Sequence, residues 1–118
     1  MSSVPSIRAL VVFRSTEDGG RSQPAWDTNK YRPHIVIGDR DQKEAVLATD
    51  GRTLIEDYLP VVFTGEGQVM EFGKEWLVEL RLWNPGADYS GLVTGATFTI
   101  READRIVGSG EVVKGLTA

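Results

Sequence analysis

The sequence predicts an all-β protein, folded as a sandwich or a closed barrel. Three observations predict it. In the stretch Gly95 to Lys114, GATFTIREADRIVGSGEVVK, the residues Ala96, Phe98 and Ile100 alternate with Thr97, Thr99 and Arg101, the period-2 signature of a half-buried strand. Turn signals recur along the chain at intervals of about 8–12 residues, the spacing of short antiparallel strands. Thirteen glycines in 118 residues leave only short stretches that could be helical.

Taken in order, Met1 to Ser6 reads as a polar, frayed tail. Ile7 to Phe13 is the first strand, apolar at nearly every position, so both of its faces are expected to be covered. Arg14 to Lys30 is a long polar loop holding Gly19-Gly20, Pro24 and an isolated Trp26. Tyr31 to Ile37 is a second strand, with Pro33 near its start, where a missing N–H is tolerated. GDRDQK (38–43) is a charged turn. Glu44 to Thr49 and Arg52 to Tyr58 are expected to pair around Asp50-Gly51, the strongest two-residue hairpin signal in the chain. Val61 to Phe63 and a weak Gln68 to Phe72 follow, separated by Gly65 and Gly67.

Glu75 to Trp83 alternates well. Trp76, Val78, Leu80 and Leu82 fall on one face and Glu79 and Arg81 on the other, which puts Trp76 in the core and Trp83 at the rim. Asn84-Pro85-Gly86 is a turn. In the loop from Ala87 to Thr94, Tyr89 and Leu92 are placed to cover one end of the core. Ala103-Asp104 reverses the chain, and Arg105 to Val113 returns. Gly108 and Gly110 lie on one face of that last strand, where a side chain would block a close backbone approach.

The length is that of one domain, residues 1–118. There is no cysteine, no run of membrane-span length and no apolar core of a signal peptide at MSSVPSIR, so a cytoplasmic protein is expected. The net charge of −4 disfavours a general nucleic-acid binder. The charge is uneven: residues 1–32 hold five basic residues against three acidic, and residues 33–118 hold eight against fourteen. An anionic partner would therefore meet the N-terminal third first.

Four stretches, in this order, resemble the third, C-terminal domain of elongation factor Tu. RSTEDGGRSQP (14–24) resembles the segment of that family ending E-G-G-R-H-T-P. Tyr31-Arg32-Pro33 matches its Y-R-P. Glu75 to Leu80 with Asn84-Pro85 sits where the family has V-E-L-I-H-P, and IREADRIVGSGEVV (100–113) resembles its I-R-E-G-G-R-T-V-G-A-G-V-V. The resemblance implies a closed six-stranded antiparallel Greek-key barrel. It also implies a partner-binding face made by the G-G-R loop and the last hairpin, which in the family serves the T stem of aminoacyl-tRNA. Carried over, that face comprises Gly19, Gly20, Arg21, Ser22, Arg101, Glu102 and Ala103. Trp26, Arg32 and Arg105 are added as neighbouring aromatic and basic residues. Trp26 could anchor a partner or plug the mouth of the barrel, and Gly19-Gly20-Arg21 could make contacts or simply turn the chain. Three positions depart from the pattern: Ser22 replaces a histidine, and Ala103 and Asp104 replace two glycines, adding a side chain and a negative charge where RNA would approach.

Catalysis has no supporting motif. No GxxxxGK[ST] loop exists to cradle a nucleotide phosphate. Ser90-Gly91 lacks the GxSxG context, and His34 is a lone strand histidine with no sequence partner. Asp39, Asp41 and Glu44 lack the D-x-[DN]-x-[DN]-G spacing of a calcium loop and read as a solvated turn. The expectation is a non-catalytic binding module without cofactor, metal or nucleotide. Its partner is a protein in or near translation, the alternative being RNA bound through Arg21, Arg32 and Arg105.

Overall fold

A computed structural model describes residues 4–115. It is all-β, with strands β1 (Ser6–Phe13), β2 (Ala25–Trp26), β3 (His34–Ile37), β4 (Leu59–Pro60), β5 (Val62–Thr64), β6 (Val69–Met70), β7 (Glu75–Arg81), β8 (Thr97–Glu102) and β9 (Arg105–Lys114). The one helical element among the described residues is a single 3-10 turn, Thr16–Asp18. Seven strands form one curled antiparallel sheet in the order β4-β3-β8-β9-β1-β7-β5, and β2 and β6 make a separate ribbon. The two edges of the large sheet, β4 and β5, are separated in the chain by Val61 alone. The N–H groups of Val61 and Phe63 donate to the carbonyls of Pro33 and Tyr31, at 3.1 and 3.0 Å.

The final hairpin forms at the centre of the sheet, but β8 is covered on both faces, Thr99 and Arg101 being buried along with Phe98 and Ile100. Its glycines sit where β9 meets its neighbours. A Cβ on Gly108 would lie 2.6 Å from the Val12 carbonyl oxygen, and one on Gly110 would lie 2.6 Å from Phe98 Cζ and 2.8 Å from the Leu10 carbonyl oxygen. Ala103-Asp104 is the two-residue turn, and Ala103 takes φ = 55°, the left-handed region that the glycine of the resembling pattern would enter freely. The core between the curled faces gathers Phe13, Tyr31 and Phe63, whose ring centroids lie 5.0 to 6.1 Å apart. Tyr89 and Leu92 close one end as expected, the Tyr89 hydroxyl donating to the Pro60 carbonyl at 2.6 Å.

Several expectations are corrected. Met1 to Ser3 lie outside the described residues, but Pro5 is already tied to the fold through its carbonyl, which accepts from Leu82 N–H, and Ser6 opens β1. β1 does not bury both faces: Ile7, Ala9, Val11 and Phe13 enter the core, while Arg8 is exposed and Leu10 and Val12 are half-buried. Trp76 is half-buried, packing against the core and donating to the Glu71 carbonyl at 3.0 Å. Trp26 plugs nothing; it is 56% exposed, opposite Val69 on the β2–β6 ribbon.

The largest departure is the segment 39–58. The chain reverses about Asp50-Gly51, though as a wider loop over 49–52 closed by the Ala48 N–H on the Thr53 carbonyl at 2.8 Å, with Asp50 accepting from the Arg52 and Thr53 N–H groups and the Thr53 hydroxyl. The flanking strands do not form: one isolated bridge joins Leu47 to Leu54. No residue from 39 to 58 is buried, so its apolar side chains contribute no core contacts to hold an extended pairing. The segment instead lies as a strap across the outer face of β8.

Candidate functional site

The loop after β1 is shaped by its glycines. Gly19, at φ = 82°, ends the 3-10 turn. Gly20 is buried, its N–H bonded to the Ser15 carbonyl at 2.7 Å, and a Cβ there would fall 1.9 Å from the Arg14 carbonyl oxygen. Gly20 is therefore a packing residue with no surface to offer a partner, which removes it from the expected contact set. The tight fold returns Arg21 to β1, where its N–H donates to the Arg14 carbonyl at 2.9 Å. Its guanidinium is thereby aimed at the tip of the final hairpin.

There Arg21 pairs with the carboxylate of Glu102 through Nη1. Its Nε donates to the Gln23 carbonyl at 2.9 Å, and its Cζ lies 5.2 Å from the centroid of the Tyr31 ring. The Tyr31 hydroxyl donates to the same Glu102 oxygen at 2.7 Å. Burial pushes the Tyr31 phenol well above its ordinary range, and the Glu102 hydrogen bond and charge push it further against a smaller opposing effect of Arg21. The G-G-R loop, the Y-R-P segment and the last hairpin thus meet at one carboxylate. Gly19 and Arg105 share the wall of a neighbouring shallow pocket of about 330 Å³, which Lys43, Glu44 and Leu47 of the strap complete.

The remaining expected residues divide. Ser22, Arg32 and Arg105 are exposed, and neither Arg32 nor Arg105 enters an ion pair among the described residues. Trp26 stands apart on the β2–β6 ribbon and makes no ring or cation contact with the Arg21 cluster. Arg101 is corrected: it is 0% exposed and cannot meet a partner. Its guanidinium forks onto Glu56, at 3.0 Å to Oε1 and 3.2 Å to Oε2, and also donates to the Tyr58 hydroxyl at 2.9 Å and the Thr99 hydroxyl at 2.9 Å. Its Cζ lies 5.3 Å from the Tyr58 ring centroid. Thr99, beside it, is also buried.

Glu56 is the hub of the strap. Besides Arg101 it accepts from Gln42 Nε2 at 2.9 Å and from the Val46 N–H at 2.7 Å. Arg14 adds a second clasp, donating to the carbonyls of Gln42 and Arg40 at 2.9 and 2.8 Å. Sequence reasoning missed Arg14, Glu56 and Tyr58. The available signal was Arg101 itself, a permanently charged residue at the centre of the most regular hairpin. Asp39 and Asp41 form a turn, Asp39 Oδ1 accepting from Asp41 N–H at 2.9 Å, and His34 packs edge-on to Tyr58 with centroids 6.2 Å apart.

No protein-family model matches this chain, and no curated protein matches it significantly.

Proposed function

We propose that this chain is a non-catalytic binding module that engages a protein partner in or near translation, on a barrel of the elongation factor Tu C-terminal kind. The observation that carries the reading is the cluster in which Arg21, Tyr31 and Glu102 meet. It joins three of the four stretches on which the resemblance rests, with Arg105 close by. The same reading takes residues 59–64 as one bent strand. The seven-stranded sheet then becomes a closed six-stranded Greek-key barrel, a closure supported by the bonds from Val61 and Phe63 to Pro33 and Tyr31.

A protein is favoured over RNA because Glu102 already neutralises Arg21, and the chain as a whole carries −4. Binding to phosphates would need several uncompensated cations and would weaken steeply with salt. The immobilised chain should retain a protein component of a reconstituted translation system, with little loss as salt is raised. Retention should fall for the Arg21→Ala, Arg105→Ala variant. That variant should stay folded, since an exposed arginine costs within about 0.5 kcal/mol and a partly exposed ion pair about 0–1 kcal/mol. Retention of tRNA with a steep salt slope would transfer the site to RNA. Retention of neither, or equal retention by the variant, would end the reading.

A further inference from the structure

A second surface, which shares no residue with the Arg21 cluster and is independent of its function, lies where the strap rejoins the sheet. β3 pairs with β8 along all four of its residues but with β4 only through His34 and Ile35. Hydrogen-bonding direction alternates along an antiparallel strand. Gly38 N–H bonds Thr97 on the β8 side, and the Pro33 carbonyl accepts from Val61 on the β4 side. Counting along β3, the backbone of Ile35 points toward β4 and so does that of Ile37. In the register of Ile35 with Leu59, the residue opposite Ile37 would be Asp57. The chain has peeled away there, and the backbone of Ile37 bonds to no described residue on that side.

The gap left by this divergence is a groove of about 470 Å³. Part of its wall is apolar: Ile37 and Ile55 are 39% and 57% exposed, and Leu59 lines it with them. Gly91 also lines it and packs against Ile37, where a Cβ would lie 2.8 Å from Ile37 Cδ1. Its rim is acidic. Asp57 enters no ion pair among the described residues, and Asp88 uses one oxygen for the Ser90 N–H at 3.0 Å. Among the described residues, no lysine or arginine lines the groove, or the adjoining pocket that extends it past Tyr58. Glu56 faces this space too, but its charge is taken by Arg101.

We propose that this groove accepts an extended segment of a partner protein in which basic and apolar side chains alternate, added as a strand to the free edge of β3. An added strand would satisfy the N–H and carbonyl of Ile37. Its apolar side chains would lie on Ile37 and Ile55, and its lysines or arginines would reach Asp57 and Asp88. Charge argues against the other occupants. An RNA or an anionic membrane would be repelled by the rim. A second copy pairing β3 with β3 would bring four rim carboxylates together, and like charges at close range oppose association.

The test uses the whole chain, isotopically labelled, titrated with a short capped peptide of alternating lysine and valine. The Ile37 amide should shift and its hydrogen exchange should slow. The matching glutamate–valine peptide should not bind, and an all-lysine peptide should bind at least about tenfold more weakly. The Asp57→Asn, Asp88→Asn variant should bind at least about tenfold more weakly with an otherwise unchanged amide spectrum. Ile55→Lys, which places a cation on the rim, gives the same result by a separate route. Shifts that map elsewhere, equal binding by both variants, or no shift up to about 10 mM peptide would overturn the proposal. So would protection of Ile37 that grows with protein concentration alone, because the edge would then belong to a second copy.

Discussion

Replacing Glu56 by glutamine removes the charge against which Arg101 is buried. Arg101 is fully enclosed, the Glu56 side chain is 13% exposed, and the other side-chain partners of Arg101 are two neutral hydroxyls. Removing one partner of a buried pair leaves an uncompensated charge, which costs about 3–5 kcal/mol. Proton linkage gives the same scale. Burial raises the pKa of the Glu56 carboxyl, but hydrogen bonds from Arg101, Gln42 and the Val46 N–H, with the charge of Arg101, more than reverse this and hold it at about 2 against an ordinary 4.5. That depression corresponds to about 3 kcal/mol in favour of the folded state at neutral pH. Because the folded value lies below the unfolded one, the contribution is complete above about pH 5 and is lost as pH falls through about 2. The amide of glutamine keeps one acceptor for Arg101, so the lower figure is expected. Urea unfolding should show Glu56→Gln about 3 kcal/mol less stable than the parent at pH 7, with the gap narrowing to about 1 kcal/mol near pH 2.5. A gap under about 0.5 kcal/mol at pH 7, or one that does not change with pH, would refute the clasp.

Three further outcomes follow from the hairpin and the core. Gly108→Val should lose about 1–3 kcal/mol or more, read as a lower urea midpoint, because its Cβ meets the Val12 carbonyl oxygen and only a parting of β9 from β1 would relieve it. Ala103→Gly should raise stability by up to about 1 kcal/mol, since a non-glycine residue held at φ = 55° is strained by about 1–2 kcal/mol and the greater unfolded freedom of glycine offsets about 0.5–1 kcal/mol of that; a lowered midpoint would show that the turn carries no such strain. In a spectrophotometric alkaline titration, Tyr31 should stay protonated after an exposed phenol has ionised near pH 10. Its contribution to stability is present below that pH and is lost as pH rises further, and Tyr31→Phe should diminish the late step that accompanies alkaline unfolding, leaving the part due to Tyr89, whose phenol burial also raises.

What the sequence made legible is what local alternation and turn chemistry encode. The β8–β9 hairpin, the close approach at Gly108 and Gly110, the alternation of β7 and the Asp50-Gly51 turn all depend on neighbours a few residues apart. Arg101 shows the limit of that reading. Its place opposite Ile100 in a period-2 pattern assigns it to water, but its burial is decided by Glu56, 45 positions away. The strap was misread for the converse reason. Val46, Leu47, Leu54 and Ile55 have the composition of paired strands, yet all four remain exposed, and strand propensity without a surface to bury against does not hold a sheet together. The expected pairing of the G-G-R loop with the last hairpin came from the resemblance. The role of Glu102 as the acceptor common to Arg21 and Tyr31 needed the geometry.

Arg101 and Glu102 are consecutive residues of one strand and therefore point to opposite faces of the sheet. Each fastens a different loop. Arg101 holds the strap from outside, and Glu102 holds the G-G-R loop and Tyr31 at the end of the core. Arg14 repeats the arrangement at the end of β1: its side chain binds strap carbonyls, and its own carbonyl accepts from Arg21. Neither loop is anchored by a large apolar side chain of its own, so each depends on charge-assisted hydrogen bonds to a rigid strand. Segments attached in this way open at a lower free energy than the sheet that carries them. The two loops should therefore exchange their amides faster than β8 and β9. Glu56→Gln should accelerate exchange in the strap while leaving the Arg21 loop unchanged, because the two clasps share a strand but no side chain.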